Sequence, residues 1–467
     1  MKMTKLLIAI GLAVLFVALL SLIGEGGQQA EAIYEYPVWL AQEMTHTVYL
    51  PLVERNYLAG YVSPFGIVMY DDVDDAAGLQ KIEDAGSKWV TTMLHWSTIE
   101  PTKGNYDWSS FDTKAQNAQA AGMDVFVLFT SNPSWAAALP DGPVTDTQNL
   151  VDFVTDMAER YDCDGVDDAD GHPCVHYWSF YAEPDLRGRW GNNGSGFAAM
   201  LSQVSPAIHA ANPQSKVLIG GLAYDWFVED GGPFVRSFLT DTLLALNGYS
   251  GGAKAYIDGV AFHYYPINPG WAGIHEKALE VQGIMERHSV GDLPLICPEM
   301  GYWSAEEAGS SEVAQARRLV QMYVCGLSVG LEHMSWHKVF DHEAGTASEH
   351  GLFWRQDLNN PKQAYFAYQT LTQELAWARY LRPLQAANAE GYVFRMPGGR
   401  EKTVLWATTS STTVPFSHSC LRMVDILGTV YDPINDGDPS WDWDGQVNGQ
   451  IVLGVYQDTP FYVEPCH

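Results

Sequence analysis

Two glutamates stand out by where they fall in the chain. Glu183 closes the run Trp178-Ser179-Phe180-Tyr181-Ala182-Glu183-Pro184-Asp185, and Glu299 lies in Leu295-Ile296-Cys297-Pro298-Glu299-Met300-Gly301. Each sits at the end of a strand-like apolar run and beside a residue that favours a turn. One glutamate in such a place is ordinarily a surface charge. Two that meet across a cleft can do chemistry. One carboxylic acid protonates the oxygen of a leaving group while one carboxylate meets the anomeric carbon, as glycosidic bond cleavage requires. Two further runs, Phe262-His263-Tyr264-Tyr265-Pro266 and Ser335-Trp336-His337, end in groups able to touch a substrate, His263 and His337 among them. His95, beside Trp96, is another candidate.

Such a pair needs a scaffold that delivers several strand ends to one rim. From Phe65 onward the sequence alternates short β-type runs with amphipathic helical stretches. The runs are Phe65–Tyr70, Trp89–Leu94, Asp124–Phe129, Tyr177–Tyr181, Val217–Gly220, Val260–His263, Leu293–Ile296 and Met334–Trp336. Between them Ala76–Ala85, Phe111–Ala121, Leu150–Tyr161, Phe197–Ala211 and Val313–Val329 carry apolar residues at spacings of three and four, and Lys362–Tyr380 reads as a last helix. Eight such units predict an α/β fold, a (β/α)8 TIM barrel over residues 61–382. In that fold active groups lie at the strand ends, and strands four and seven face each other across the mouth. No Gly-x-Gly-x-x-Gly follows the first strand, so a dinucleotide fold gains no support. After Pro383 the texture becomes Tyr392–Met396, Thr403–Ala407, Leu421–Ile426 and Ile451–Tyr456, broken by Gly, Pro, Asn and Asp. This predicts a small C-terminal β-sandwich domain over residues 383–467, in a supporting role.

A formal charge of −30 excludes nucleic acid as a partner, because phosphate contacts need clustered Lys and Arg. It also disfavours a strongly anionic polymer, and a neutral carbohydrate fits better. The 16 Trp and 24 Tyr exceed what one core absorbs comfortably and leave rings for stacking on sugars.

The residues around the two glutamates resemble the retaining glycosidases of clan A. Trp178 through Asp185 is similar to their W-x-x-x-N-E-P-D stretch, and Ile296 through Gly301 to their strand-seven nucleophile segment. Trp96-Ser97-Thr98-Ile99-Glu100-Pro101, Gly104-Asn105-Tyr106-Asp107-Trp108 and Pro133-Ser134-Trp135-Ala136 resemble their second and third βα loops. The likeness covers most of residues 64–380 and is nearest to glycoside hydrolase family 39, which includes xylosidases and iduronidases. It implies a retaining O-glycosidase with Glu183 as general acid/base and Glu299 as nucleophile. Tyr265 would orient Glu299 and Trp336 would form a wall of the sugar site; by their places in the loops and at strand ends, Trp135, His95, His263 and His337 are the further substrate-binding candidates. The chain departs from the family at two places. Ala182 stands where an Asn that binds the 2-hydroxyl is usual, and Thr91 stands near the place of an Arg that supports the nucleophile. These departures point to a sugar modified at C2, or to a catalytically degenerate carbohydrate-binding protein on the same barrel.

The chemistry requires no cofactor, and the 14 His show no zinc spacing such as H-E-x-x-H. The loop Asp162-Cys163-Asp164-Gly165-Val166-Asp167-Asp168-Ala169-Asp170-Gly171 is rich in carboxylates, and Asp162, Asp164, Asp168 and Asp170 are candidate ligands of a structural calcium. Glu100 reads as a loop brace. Cys163 with Cys174, and Cys420 with Cys466, are the expected disulfides, leaving Cys297 and Cys325 as free core thiols. Lys2 and Lys5 precede the apolar run Leu6–Ile23 and an A-x-A site near Ala30-Glu31-Ala32. Residues 1–32 therefore read as a secretory signal, or as a membrane anchor if retained, and residues 33–60 as a linker. The expected location is secreted or extracellular, with a membrane partner only if that segment stays attached.

Overall fold

The computed structural model describes residues 63–266, 273–341, 348–354 and 357–466. The signal or anchor and the linker expected over residues 1–60 lie outside the described residues.

Eight parallel strands close into a barrel in sequence order: β1 (Phe65–Val68), β2 (Trp89–His95), β3 (Asp124–Thr130), β4 (Tyr177–Phe180), β5 (Lys216–Leu222), β6 (Gly259–Tyr264), β7 (Leu295–Met300) and β8 (Met334–His337). Closure comes from β8 pairing with β1, Phe65 against Met334 through Val68 against His337. The helices α1 (Ala76–Asp84), α2 (Ser109–Ala120), α3 (Thr147–Arg160), α4 (Gly194–Ala211), α5 (Phe238–Leu246), α6 (Ile274–Arg287), α7 (Glu312–Ser328) and α8 (Gln363–Glu374) follow the strands in turn. Their starts are legible in chemistry: the side chains of Asp75, Asp146, Asn193 and Ser311 each accept a first-turn amide, supplying a partner the helix itself cannot. The barrel is the (β/α)8 fold expected from the alternation.

The strands are buried on both faces, which is why they read as continuous apolar runs. Inside the barrel, Phe126, Leu128, Leu218, Ala261 and Ile296 form a floor, with Tyr70, Met93, Tyr177 and Ala182 packed on it. Above that floor the inward positions turn polar, and the site begins.

The last helix is shorter than its apolar spacing suggests. It ends at Glu374, and Arg379–Pro383 instead forms β9 after a turn in which Trp377 has φ +62°. β9 edges a six-stranded sheet, with order β14 (Val430–Asn435), β13 (Cys420–Asp425), β16 (Phe461–Pro465), β11 (Glu401–Ala407), β10 (Ala389–Arg395), β9. A two-stranded sheet of β12 (Ser411–Phe416) and β15 (Ile451–Tyr456) completes the sandwich. Alternation sends one face of the larger sheet to each core. Phe394, Val404, Val424 and Tyr462 join the barrel's apolar cluster, whereas Leu405, Met423, Phe461 and Val463 pack with Val414, Ile451 and Leu453 inside the sandwich. Glu374, at the end of α8, adds a polar clamp. Arg422 reaches Glu374 Oε1 at 2.8 Å and Glu464 Oε1 at 3.0 Å, and the Lys402 ammonium pairs with both carboxylates. The disulfides are Cys163–Cys174 and Cys420–Cys466; Cys297 and Cys325 are free thiols, Cys297 buried and Cys325 half-buried.

Candidate active site

Glu183 and Glu299 arrive at the barrel mouth by different local devices. β4 ends at Phe180, and the chain then turns through Tyr181 (φ +62°) and Glu183 (φ +48°). Left-handed backbone is unfavourable for side chains of this kind, so surrounding bonds must hold it. The Glu183 amide donates to Gly221 O at 2.8 Å and the Tyr181 hydroxyl to Asn132 Oδ1 at 2.7 Å. Asp185 accepts from the amides of Ala223 (3.0 Å) and Tyr224 (2.7 Å), while burial pushes its carboxyl up to about 6. Glu299 instead stays within β7, where the register with β6 and β8 slips beside it and pairs Glu299 with His263.

His263 joins them. It is 2% exposed, and its Nδ1 lies 3.5 Å from Glu183 Oε1 and 3.8 Å from Glu299 Oε1. One nitrogen so placed holds those two oxygens to at most about 7.3 Å apart. Neither ring nitrogen makes a hydrogen bond among the described residues. The ring lies against Gly221, where an added Cβ would come 2.0 Å from Nε2, so only glycine leaves it room. Burial alone would lower the imidazole's pKa, but the charges of Glu299 and Glu183 outweigh it and the net shift is upward. Burial would likewise raise Glu183, and His263, followed by Arg189 and Lys277, carries it below the usual carboxylate value.

Glu299, its side chain 11% exposed, has a donor on each oxygen. The Tyr265 hydroxyl donates to Oε1 at 2.6 Å, and the Tyr70 hydroxyl donates to Oε2. Burial, then the Glu299 charge, holds both phenols far above their ordinary pKa, so each remains an O–H donor. Tyr70 is not among the sequence candidates. It belongs to the turn after β1, at φ +48°. The signal that could have found it is its place as an aromatic hydroxyl just past a strand, the same place Tyr265 takes after β6.

The remaining sequence candidates divide. Trp336 is 0% exposed, with its indole N–H donating to His350 O at 2.9 Å, and it offers no face to a ligand. The expectation of a wall at Trp336 is corrected by strand parity. Ser335 points inward, bonding Thr91 at 2.9 Å, so Trp336 points into the helix layer and His337 inward again. The His337 ring packs 5.6 Å from Tyr70 and 5.7 Å from Tyr265, beside the two donors of Glu299. Trp135 is half-buried on the β3 loop, bonded to Glu100 O at 3.0 Å and edge-on to Trp96 at 5.6 Å. Glu100 braces that loop by accepting from the Trp96 indole (2.7 Å) and the Gly104 amide (2.6 Å). His95 bonds Ser131 at 3.0 Å and lies 3.5 Å from Asp71, whose carboxyl His95 and then Lys114 hold well below the usual range. Both Trp135 and His95 thus spend their polar atoms on neighbouring loops. Ala182 rests on the barrel floor, and its carbonyl accepts from Arg189. Among the acidic candidates, Asp162, Asp164 and Asp168 draw together, whereas Asp170 stands outside that group.

A family profile described as glycoside hydrolase 42, beta-galactosidase, matches residues 73–149. No curated protein sequence matches the chain. Among solved structures, a family 39 glycoside hydrolase from the gut symbiont Bacteroides cellulosilyticus WH2 has a TM-score of 0.66 at 18% identity, over 86% of this chain and 81% of that one. A GH39 beta-xylosidase from Caulobacter crescentus has a TM-score of 0.57 at 17% identity, over 86% and 95%. A glucosidase from Croceicoccus marinus has a TM-score of 0.58 at 15% identity, over 83% and 92%. These likenesses establish a shared fold, and in that fold the chain resembles the family 39 glycoside hydrolases.

Proposed function

We propose that the chain hydrolyses O-glycosidic bonds with retention of configuration, Glu183 acting as general acid/base and Glu299 as nucleophile. The observation that carries this reading is the single His263 nitrogen within ion-pair reach of both carboxylates. The ceiling of about 7.3 Å it sets accommodates the roughly 5–5.5 Å spacing of retaining pairs. Tyr70 and Tyr265 fix both oxygens of Glu299, so its attack direction is chosen before a sugar arrives. Glu183 keeps one side more open, 32% exposed, as a group that exchanges protons with a leaving oxygen and then with water must. In the first step Glu299 bonds the anomeric carbon while Glu183 protonates the departing oxygen, with the proton that rests on His263 passed through Glu183 as the bond breaks. In the second, water attacks the anomeric carbon as Glu183 takes its proton, and the bond from that carbon to Glu299 breaks, which releases the sugar and restores both groups.

The carbohydrate nature of the substrate is supported by this chemistry and by the kinds of enzyme that share the fold. No cofactor enters either step. Export is supported by the two disulfides, which persist in oxidising compartments, and by the signal-like N-terminal sequence. The decisive experiment is inactivation with a 2-fluoro glycosyl fluoride followed by peptide mapping. Label on Glu299 is expected, and label on any other residue overturns the assignment.

A second reading, carbohydrate binding without cleavage, is favoured by one observation. Ala182 presents a methyl group where a hydrogen-bonding amide would grip a 2-hydroxyl. Screening aryl glycosides with Glu183→Ala as control separates the two readings.

A further inference from the structure

The smaller sheet of the sandwich, β12 with β15, turns Val414, Leu453 and Val455 toward its core. By alternation Ser411, Thr413 and Pro415 of β12, with Val452, Gly454 and Tyr456 of β15, point away from it. The register sets Ser411 beside Tyr456, Thr413 beside Gly454 and Pro415 beside Val452. The loop before β15 adds a tryptophan to this outer face. Asp442 bridges to Leu453 as one more antiparallel pair, and the Trp443 amide donates to Val452 O at 2.8 Å. The Trp443 side chain therefore leaves on the outer side. Its six-membered ring lies over Gly454, where an added Cβ would come 3.0 Å from it. We propose that this outer face binds a neutral polysaccharide chain, with the Trp443 indole as its platform.

Trp443 is 70% exposed, the most exposed tryptophan among the described residues, and Tyr456, at the next outward position along β15, is 53% exposed. Single exposed rings are ordinary, but Trp443, Tyr456 and Pro415 share one face. The backbone that carries the indole is also fixed. Buried Asp442 accepts from the amides of Val452 (2.9 Å) and Gly437 (2.8 Å). A rigid aromatic surface presented in advance loses little freedom when a ligand stacks on it.

The charge of the face selects its partner. Residues 403–421 and 423–467 contain no lysine or arginine. β12, β15 and the loop before β15 thus offer hydroxyls and carboxylates and no such cation of their own, which disfavours nucleic acid, acidic polysaccharide and anionic lipid. A neutral sugar ring has an apolar C–H face that stacks on an indole. Its hydroxyls donate to carboxylates and exchange hydrogen bonds with Ser411 and Thr413. Outward positions two apart along a strand lie roughly 7 Å from each other, so the indole over Gly454 and the Tyr456 ring can meet adjoining units of one chain. The platform attaches polymer, a function beyond the proposed hydrolysis and independent of it.

The test is native affinity electrophoresis of the full oxidised chain in gels cast with xylan, mixed-linkage β-glucan or galactan. Glu299→Gln serves as the background, so that hydrolysis does not erode the polymer. Retardation in at least one gel is expected. Trp443→Ala should weaken it about tenfold, as loss of a central aromatic anchor does, and Tyr456→Ala should weaken it less. With Glu299 restored, Trp443→Ala should leave kcat/KM on a small aryl glycoside unchanged. If calorimetry shows Trp443→Ala to be unstable, Tyr456→Ala carries the comparison. No retardation of the parent in any gel overturns the proposal. Retardation that both variants leave intact overturns it equally, placing the polymer on the barrel. A parent that is not retarded but sediments as a dimer, which Trp443→Ala dissociates, would give the face to a second copy of the chain. Trp443-dependent retardation alongside failure of the Glu299 labelling would remove the hydrolytic reading and leave the platform standing.

Discussion

The Tyr70 hydroxyl donates to Glu299 Oε2, opposite the bond that Tyr265 makes to Oε1. Two neutral phenols thereby occupy both oxygens of a carboxylate that, in the resembling family, an arginine supports. The difference matters physically. A guanidinium adds charge and geometry together, whereas phenols add geometry and leave charge to His263.

Tyr70→Phe therefore removes one donor and leaves the rest of the turn intact. Hydrogen bonds to charged groups contribute about 1.5–3 kcal/mol, so kcat/KM should fall roughly 10- to 100-fold. KM should change less than kcat, since the phenol positions the carboxylate and does not grip the sugar. Steady-state kinetics on an aryl glycoside measures both, and an unchanged kcat would remove Tyr70 from the site.

His263 gives a pH prediction. The histidine's pKa is raised and that of Glu183 is lowered, so at rest the proton they share sits on the imidazole. Activity needs that proton in the pair, and it is lost as pH rises through the raised histidine value. The descending limb of kcat/KM should therefore lie above pH ~6.5, the ordinary histidine pKa. His263→Asn leaves only the Glu183 carboxyl to hold the proton, and the limb should move to lower pH. A limb that stays in place would show that the proton resides elsewhere.

Ala182→Asn tests the departure from the family pattern. Ala182 stands beside Glu183 and packs on the barrel floor, and an amide there would regain a bond to a 2-hydroxyl. Activity on unsubstituted glycosides should hold or increase, by about tenfold if the new bond contributes ~1.4 kcal/mol in the transition state. A large loss, read on the same substrates, would show that the natural sugar carries a group needing the space.

At the barrel–sandwich junction, Glu374→Ala strips Lys402 and Arg422 of a shared buried carboxylate. Breaking such a network from one side costs about 3–5 kcal/mol, because the cations stay desolvated. Differential scanning calorimetry should show a lower Tm with kcat/KM unchanged at 25 °C. An unaltered Tm would mean that water reaches the cluster.

Legibility in the sequence tracks physical locality. The barrel is readable because alternation of buried strands and amphipathic helices is a local pattern repeated around the ring. Glu183 and Glu299 are readable because each lies in a strand-end motif. Trp336 misleads because a four-residue strand carries too few positions to fix its parity, and Ser335 bonding Thr91 over the inner face of β1 decides it. Arg379–Tyr380 reads as helix because nothing local announces the left-handed turn at Trp377, and pairing of Arg379 and Tyr380 with Arg395 and Phe394 across β10 overrides propensity. Tyr70 owes its role to a partner 229 residues away, a relation no window along the chain contains.

The sheet whose strand β11 sends Val404 to one core and Leu405 to the other has a consequence for modularity. Such a lobe is not a detachable passenger. Truncation ahead of Arg379 would strip the barrel's flank of Phe394, Val404 and Tyr462, and transplanting the lobe onto an unrelated enzyme would leave the same three side chains in water. Insertions and deletions during divergence are thereby confined to the loops, and the pair of cores is inherited or lost as one.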